Sequence, residues 1–130
     1  MKLLAFTDLH SSYQYLKKLK KKIRKSKPDI IICAGDISVF ENGLPYLLKT
    51  FNKFKIPFLI IHGNHETKTA MKNLCSKHKN ITFLHNIHYK QDDAVFLGYG
   101  GGGFTQTDPE LKKTSKKFKR IISDKLPQLF

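Results

Sequence analysis

The chain has no tryptophan, two cysteines and only 10 acidic residues against 24 basic ones. Two cysteines placed at 33 and 75 make neither a disulfide framework nor a zinc-knuckle spacing. Cys33 lies in the apolar run Ile30-Ile31-Ile32-Cys33-Ala34 and reads as a small buried hydrophobe; both thiols read as core or surface groups. No apolar run approaches the roughly 20 residues that span a bilayer. The opening Met1-Lys2-Leu3-Leu4-Ala5-Phe6 is too short for a signal-peptide core, and Asp8 and His10 follow it at once. The expectation is a cytoplasmic protein with no membrane partner.

The shortage of acid leaves a net charge of +14. Excess charge of this size speaks to partners and solubility, not to fold. Lysine far outnumbers arginine and isoleucine is common, which fits an AT-rich genome or a high growth temperature. The second reading is a polyanionic partner, nucleic acid above all. Eight of the eleven residues from Lys17 to Lys27 are basic, and a second cluster holds Lys112, Lys113, Lys116, Lys117, Lys119 and Arg120. Each cluster is first a solvated helix face and second a phosphate-backbone contact.

At 130 residues, 40% of them hydrophobic, the chain suffices for one domain with a real core, over residues 1–130. Residues 2–6 read as a short buried strand. Tyr13, Leu16, Leu19 and Ile23 recur at helical spacing over 13–25, with Ser11 or Ser12 as cap. Asp29 to Ala34 shows no polar alternation and reads as a strand covered on both faces. A helix is expected over about Leu44 to Lys53, with Pro45 in its first turn, and a strand over Pro57–Ile61. Thr67–Lys77 reads as a third helix. Then come short strands at Ile81–Leu84, Ile87–Tyr89 and Ala94–Leu97 and a glycine-rich loop over 98–103. A last helix starts at Asp108-Pro109, with Leu111, Phe118, Ile121 and Ile122 facing inward. The order β-α-β-α-β-α, then short β-strands and a final helix, predicts an α/β fold with helical crossovers.

The first three strands end alike. Strand one runs into Asp8-x-His10, strand two into Gly35-Asp36, and strand three into Gly63-Asn64-His65-Glu66. Ligands collect at the carboxyl ends of parallel strands, so Asp8, His10, Asp36, Asn64 and His65 can converge. Carboxylate, imidazole and amide oxygen together suit Mn, Fe, Zn or Co rather than Ca or a soft thiolate metal. Asp-x-His in an extended segment points both side chains the same way. Taken one by one these pieces are weak, and a lone histidine is more often structural. The ordered set at three strand ends is what points to a shared metal site. An aspartate between two metals would hold a bridge suited to phosphoryl transfer.

Asp8-x-His10, Gly35-Asp36 and Gly63-Asn64-His65-Glu66 resemble the first three motifs of the calcineurin-like metallophosphoesterases. Leu3 to His10 and Gly98-Tyr99-Gly100-Gly101-Gly102-Gly103-Phe104 are similar to a branch of small predicted phosphoesterases common in prokaryotes. The resemblance runs from Met1 to about Ile122. It implies an α/β sandwich and two divalent metal ions, with Asp8 and His10 on one, Asp36 bridging and Asn64 on the second. It implies that His65 contacts the phosphate of a phosphate-ester substrate, a phosphodiester or nucleotide, and helps protonate the leaving group.

The family pattern continues with a strand ending in histidine and a Gly-His-x-His segment, and this chain ends at Phe130 before either. His62, His78, His85 and His88 read as surface or core residues rather than substitute ligands. Three expectations follow. A complementary chain carries the missing histidine motifs, or the chain is a weak or inactive remnant that binds nucleic acid, or a homo-oligomer takes the place of the second half. The exposed edge of an unfinished sheet favours a partner. Gly100 to Gly103 could cradle a phosphate with backbone N–H groups, and no Gly-Lys-Ser/Thr follows to make it a nucleotide P-loop.

Overall fold

The computed structural model describes residues 1–102 and 106–125, the last without its side chain. The chain runs β1 (Leu3–Phe6), α1 (Tyr13–Ser26), β2 (Ile30–Cys33), α2 (Leu44–Asn52), β3 (Phe58–Ile60), α3 (Lys68–Cys75), β4 (Ile81–Phe83), β5 (Ile87–Gln91), β6 (Ala94–Gly98) and α4 (Pro109–Lys125). Strands β1 to β4 form one parallel sheet in sequence order, and β5 and β6 form an antiparallel hairpin. The α/β architecture expected from the sequence is therefore present: parallel strands joined by helices, then a hairpin and a final helix.

Local chemistry sets the helix ends. Ser12 caps α1, its Oγ accepting the Tyr15 N–H at 3.3 Å. Lys27 closes α1 in the left-handed conformation and donates its N–H to the Ile23 carbonyl at 2.9 Å. Thr67 caps α3 by accepting the Ala70 N–H at 3.2 Å. No helix among the described residues is long and apolar enough to cross a membrane.

The sheet register sorts the side chains into two faces. Leu4, Ile31, Phe58 and Ile81 pair in one row, and Phe6, Cys33, Ile60 and Phe83 in another. Both rows pack on the helix side with Leu16, Ile23, Leu47, Leu48, Phe51 and Met71. Phe6, Phe51 and Phe58 form a three-ring cluster, with Phe51 at centroid distances of 5.4 and 4.6 Å from Phe6 and Phe58. On the other face Ile30, Leu59 and Leu84 pack with Tyr89 and Phe96 of the hairpin.

Two expectations are corrected. Strand β1 is not buried throughout: Leu3 is 47% exposed and Ala5 is exposed, because β1 is a sheet edge and the hairpin packs over β2 and β3 instead. Strands β2 and β3 are covered on both faces, with Ile30 and Ile31 of β2 and Phe58, Leu59 and Ile60 of β3 all buried. Helix α4 does not turn Leu111 and Ile122 inward; they are 46% and 40% exposed, and the fully buried residue on α4 is Thr114. Thr114 donates to Asn86 Oδ1 at 2.8 Å, and Phe118 and Ile121, the other two residues expected inward, lie half-buried one and two turns further along.

Candidate metal centre

The loops after β1 and β2 continue side by side past the last strand residues. Asp8 N–H donates to the Gly35 carbonyl at 3.3 Å, His10 N–H to Asp36 at 3.1 Å and Ser11 N–H to Ile37 at 3.0 Å. These bonds hold the backbone where it would not otherwise stay: Asp8, His10, Ser11 and Asp36 all have φ between 50° and 54°. A non-glycine residue at positive φ is uncommon, and four together mark a site where the surroundings hold local strain. Gly35, at φ 96°, makes the turn into Asp36.

The third loop closes on the first two. His65 N–H donates to Asp36 Oδ1 at 3.1 Å, so one carboxylate oxygen is fixed by the loop after β3. The other, Oδ2, lies 3.9 Å from His10 Nε2, and Asp8 Oδ1 lies 3.4 Å from that same nitrogen. The imidazoles of His10 and His65 stand with centroids 5.1 Å apart. Donor atoms of His10, Asp36 and His65 all fall within 4.8 Å of one another. Asp8 borders this group, with its side chain 53% exposed. Asn64 sits exposed on the bend between Gly63 and His65.

The residues fit a divalent metal. His65 Nδ1 is buried and has no hydrogen-bond partner among the described residues, an arrangement that costs free energy unless something fills it. The donors are imidazole nitrogen and carboxylate oxygen, the mix that suits first-row divalent ions. Thiolate is not part of the set. Cys33 is buried behind the site and its thiol is pushed far up by burial. His65 thus lies beside His10 and Asp36, with a ring nitrogen close to their donor atoms.

One residue was named in the sequence motif without a role. Glu66 is only 5% exposed and accepts four hydrogen bonds. The donors are Asp36 N–H at 3.2 Å, Gly63 N–H at 3.0 Å, and Ser38 N–H and Oγ, both at 2.8 Å. It ties the loop carrying Asp36 to the loop carrying His65. The only sequence signal was its place next to His65; its partners Asp36 and Ser38 lie 30 and 28 residues upstream.

Two amides of the glycine-rich loop are already taken by protein acceptors. Gly100 N–H donates to His85 Nδ1 at 3.0 Å and Gly101 N–H to the His62 carbonyl at 2.7 Å. A Cβ at Gly100 would stand 2.7 Å from His62 Nδ1, so glycine is there to let the loop lie on that ring. Gly103 and Phe104 lie outside the described residues. His62 packs against His85 with centroids 4.8 Å apart, and burial holds its imidazole below the usual range. His78 is half-buried and His88 exposed. None of these four joins the donor group.

A solved crystal structure shares the fold, with a TM-score of 0.67 at 19% sequence identity over 92% of this chain. This chain spans 64% of the length of that structure. No curated protein matches it. Three strand-end loops that gather aspartate and histidine in one strained, cross-braced site are accounted for by the sequence family whose pattern fits residues 1–127: the chain belongs to the calcineurin-like phosphoesterases.

Proposed function

We propose that this chain is the metal-binding portion of a phosphoesterase that hydrolyses phosphodiesters or nucleotides with two divalent ions, manganese among the candidates. The observation that carries the reading is the convergence of Asp8, His10, Asp36 and His65 from three loops, with His65 Nδ1 left unpartnered. Asp8, His10 and Asp36 would hold one ion, and Asp36 with Asn64 the second. The bound metals supply positive charge to the phosphoryl oxygens and make water a nucleophile near neutral pH. The chain's own residues supply position. His65 N–H fixes Asp36 Oδ1, which leaves Oδ2 free for a ligand, and Glu66 fixes the backbone beneath both. His65 stands beside His10, within reach of a leaving-group oxygen bound at the centre.

Five donors do not fill two shells of five or six. The remaining ligands would come from outside these 130 residues, from a complementary chain bearing histidines or from a second copy of this one. The test is hydrolysis of bis(p-nitrophenyl) phosphate in Mn²⁺ by the purified protein together with any chain that co-purifies. Metal-dependent turnover that Asp36→Asn removes supports the reading. Turnover that survives that change contradicts it.

A second reading rests on α1. All its side chains except Leu16 and Ile23 are exposed or half-exposed, including Lys17, Lys18, Lys21, Lys22, Arg24 and Lys25. It is that of an inactive remnant binding nucleic acid through this face. Its mark is affinity that falls steeply with salt and ignores chelators.

A further inference from the structure

A cavity of about 540 Å³ opens at the carboxyl end of β4, between α3 and the first turn of α4. It is separate from the donor group, since none of His10, Asp36 or His65 lines it. It is lined by the apolar Ile81 and Phe83 and the buried His85, with Lys68, Lys72 and Glu110 exposed around it. The volume lies within the range of small-molecule sites.

His85 is the unusual member. Its side chain is 6% exposed. Nδ1 accepts the Gly100 N–H, which places the ring proton on Nε2. That Nε2 is buried and lacks a hydrogen-bond partner among the described residues; Glu110 Oε1 approaches it only to 3.5 Å, beyond ordinary N–H···O length. The ring cannot turn away to satisfy itself, because it is held between Tyr99 and His62 at centroid distances of 4.9 and 4.8 Å. Meanwhile Lys68 Nζ holds Glu110 Oε1 at 3.0 Å. A carboxylate from the chain itself thus stands between a lysine and a buried donor that it does not properly reach. Lys68 and Glu110 are 53% and 46% exposed, so the pair sits at the mouth and can be parted without stranding a buried charge.

We propose that this cavity binds a phosphomonoester with an aromatic or apolar body, of the size of a nucleoside monophosphate. Its phosphate takes the place of the Glu110 carboxylate beside Lys68 and His85 Nε2. Phosphate brings more acceptor oxygens than one carboxylate, and can meet Lys68, Lys72 and His85 together. The body lies on Ile81 and Phe83. Cys75, also in the wall, takes no chemical part, since burial pushes its thiol up to about 12.

The test is calorimetric titration of adenosine monophosphate into the chain in a chelating buffer, with inorganic phosphate and adenosine as separate probes. Without metal, binding here does not depend on the phosphoesterase reading. Adenosine monophosphate is expected to bind, adenosine not to, and phosphate about tenfold more weakly than the nucleotide. Lys68→Ala should weaken nucleotide binding about tenfold, and Glu110→Gln should tighten it about fivefold by removing the competing charge. Both positions are exposed enough for the variants to fold, and an unchanged thermal midpoint checks this. His85→Ala should abolish binding. Nucleotide binding that is indifferent to Lys68→Ala and Glu110→Gln, or absent from the wild type, overturns the proposal. Binding that is lost in Asp36→Asn and kept in Lys68→Ala places the nucleotide at the metal centre and overturns it too.

Discussion

The buried carboxylate of Glu66 accepts the backbone N–H of Asp36 at 3.2 Å, although Asp36 belongs to the loop after β2 and Glu66 to the loop after β3. The same oxygen accepts Gly63 N–H at 3.0 Å. One side chain therefore sets the relative height of the two loops that meet at the donor group. Replacing it with alanine leaves four donors in a nearly closed space and should cost about 2–4 kcal/mol of stability. Glu66→Gln keeps an acceptor but turns an N–H₂ toward the same donors. We expect Glu66→Gln to stay folded at room temperature while Mn²⁺ affinity falls about tenfold or more. Calorimetry of metal binding, paired with thermal unfolding, separates the two effects. Wild-type metal affinity in Glu66→Gln would show that Glu66 braces the fold and not the site.

Gly63 makes the opposite kind of demand, for empty space. A Cβ there would stand 2.0 Å from Asp36 Oδ1 and 2.6 Å from Asp36 N. Alanine must push the Asp36 carboxylate off its bond to His65 N–H. Gly63→Ala should lose about 1–3 kcal/mol of stability and most of its metal affinity. The check is Mn²⁺ titration beside a denaturant melt; metal binding equal to wild type would mean that Asp36 need not stay where His65 holds it.

The start of α4 is tied down by two carboxylates whose pKa values are depressed. Tyr99 donates to Asp108 Oδ2 at 2.6 Å, and the Glu110 and Leu111 N–H groups donate to Asp108 Oδ1. The Tyr99 phenol, and then these amides, hold Asp108 below the usual carboxylate range; the Lys68 bond does the same for Glu110. Burial and the Asp108 carboxylate push Tyr99 up to about 12, so it stays a donor throughout. A depressed folded-state pKa contributes stability above the unfolded pKa, and that stability is lost as pH falls through the folded value. Amide exchange at Glu110, Leu111 and Lys112 should therefore accelerate below about pH 4. Asp108→Asn keeps a capping side chain but cannot titrate, so much of that acceleration should vanish. Superimposable profiles for the two proteins between roughly pH 3 and 5 would remove the tie from the account.

The strand ends were readable from the chain because parallel strands deliver their last residues to one edge, and Asp8, Asp36 and His65 all follow apolar runs. The cap at Ser12 and the proline-led α2 were readable for the same local reasons. What could not be read depends on partners far away in sequence. The buried role of Glu66 needs the N–H groups of residues 36 and 38 to arrive beside it. In α4 the apolar spacing finds the half-buried Phe118 and Ile121, but the burial of Thr114 depends on its meeting Asn86 and could not be read. The glycine-rich loop suggested a phosphate cradle, but the Gly100 and Gly101 amides are spent on His85 and His62, residues whose burial only the packing of β4 on β3 reveals. Leu3 looked buried by type, and is exposed because β1 is an edge.

The central claim is that three loops build one metal centre around Asp36. The most direct measurement is calorimetric titration of Mn²⁺ into chelator-treated protein, for wild type, Asp36→Asn and His65→Ala. The account predicts saturable binding by the wild type, its loss in Asp36→Asn, and near-wild-type affinity in His65→Ala, whose imidazole stands outside the proposed ligand set of Asp8, His10, Asp36 and Asn64. Binding of equal strength in the wild type and in Asp36→Asn, or none in the wild type even with its completing chain present, would contradict it.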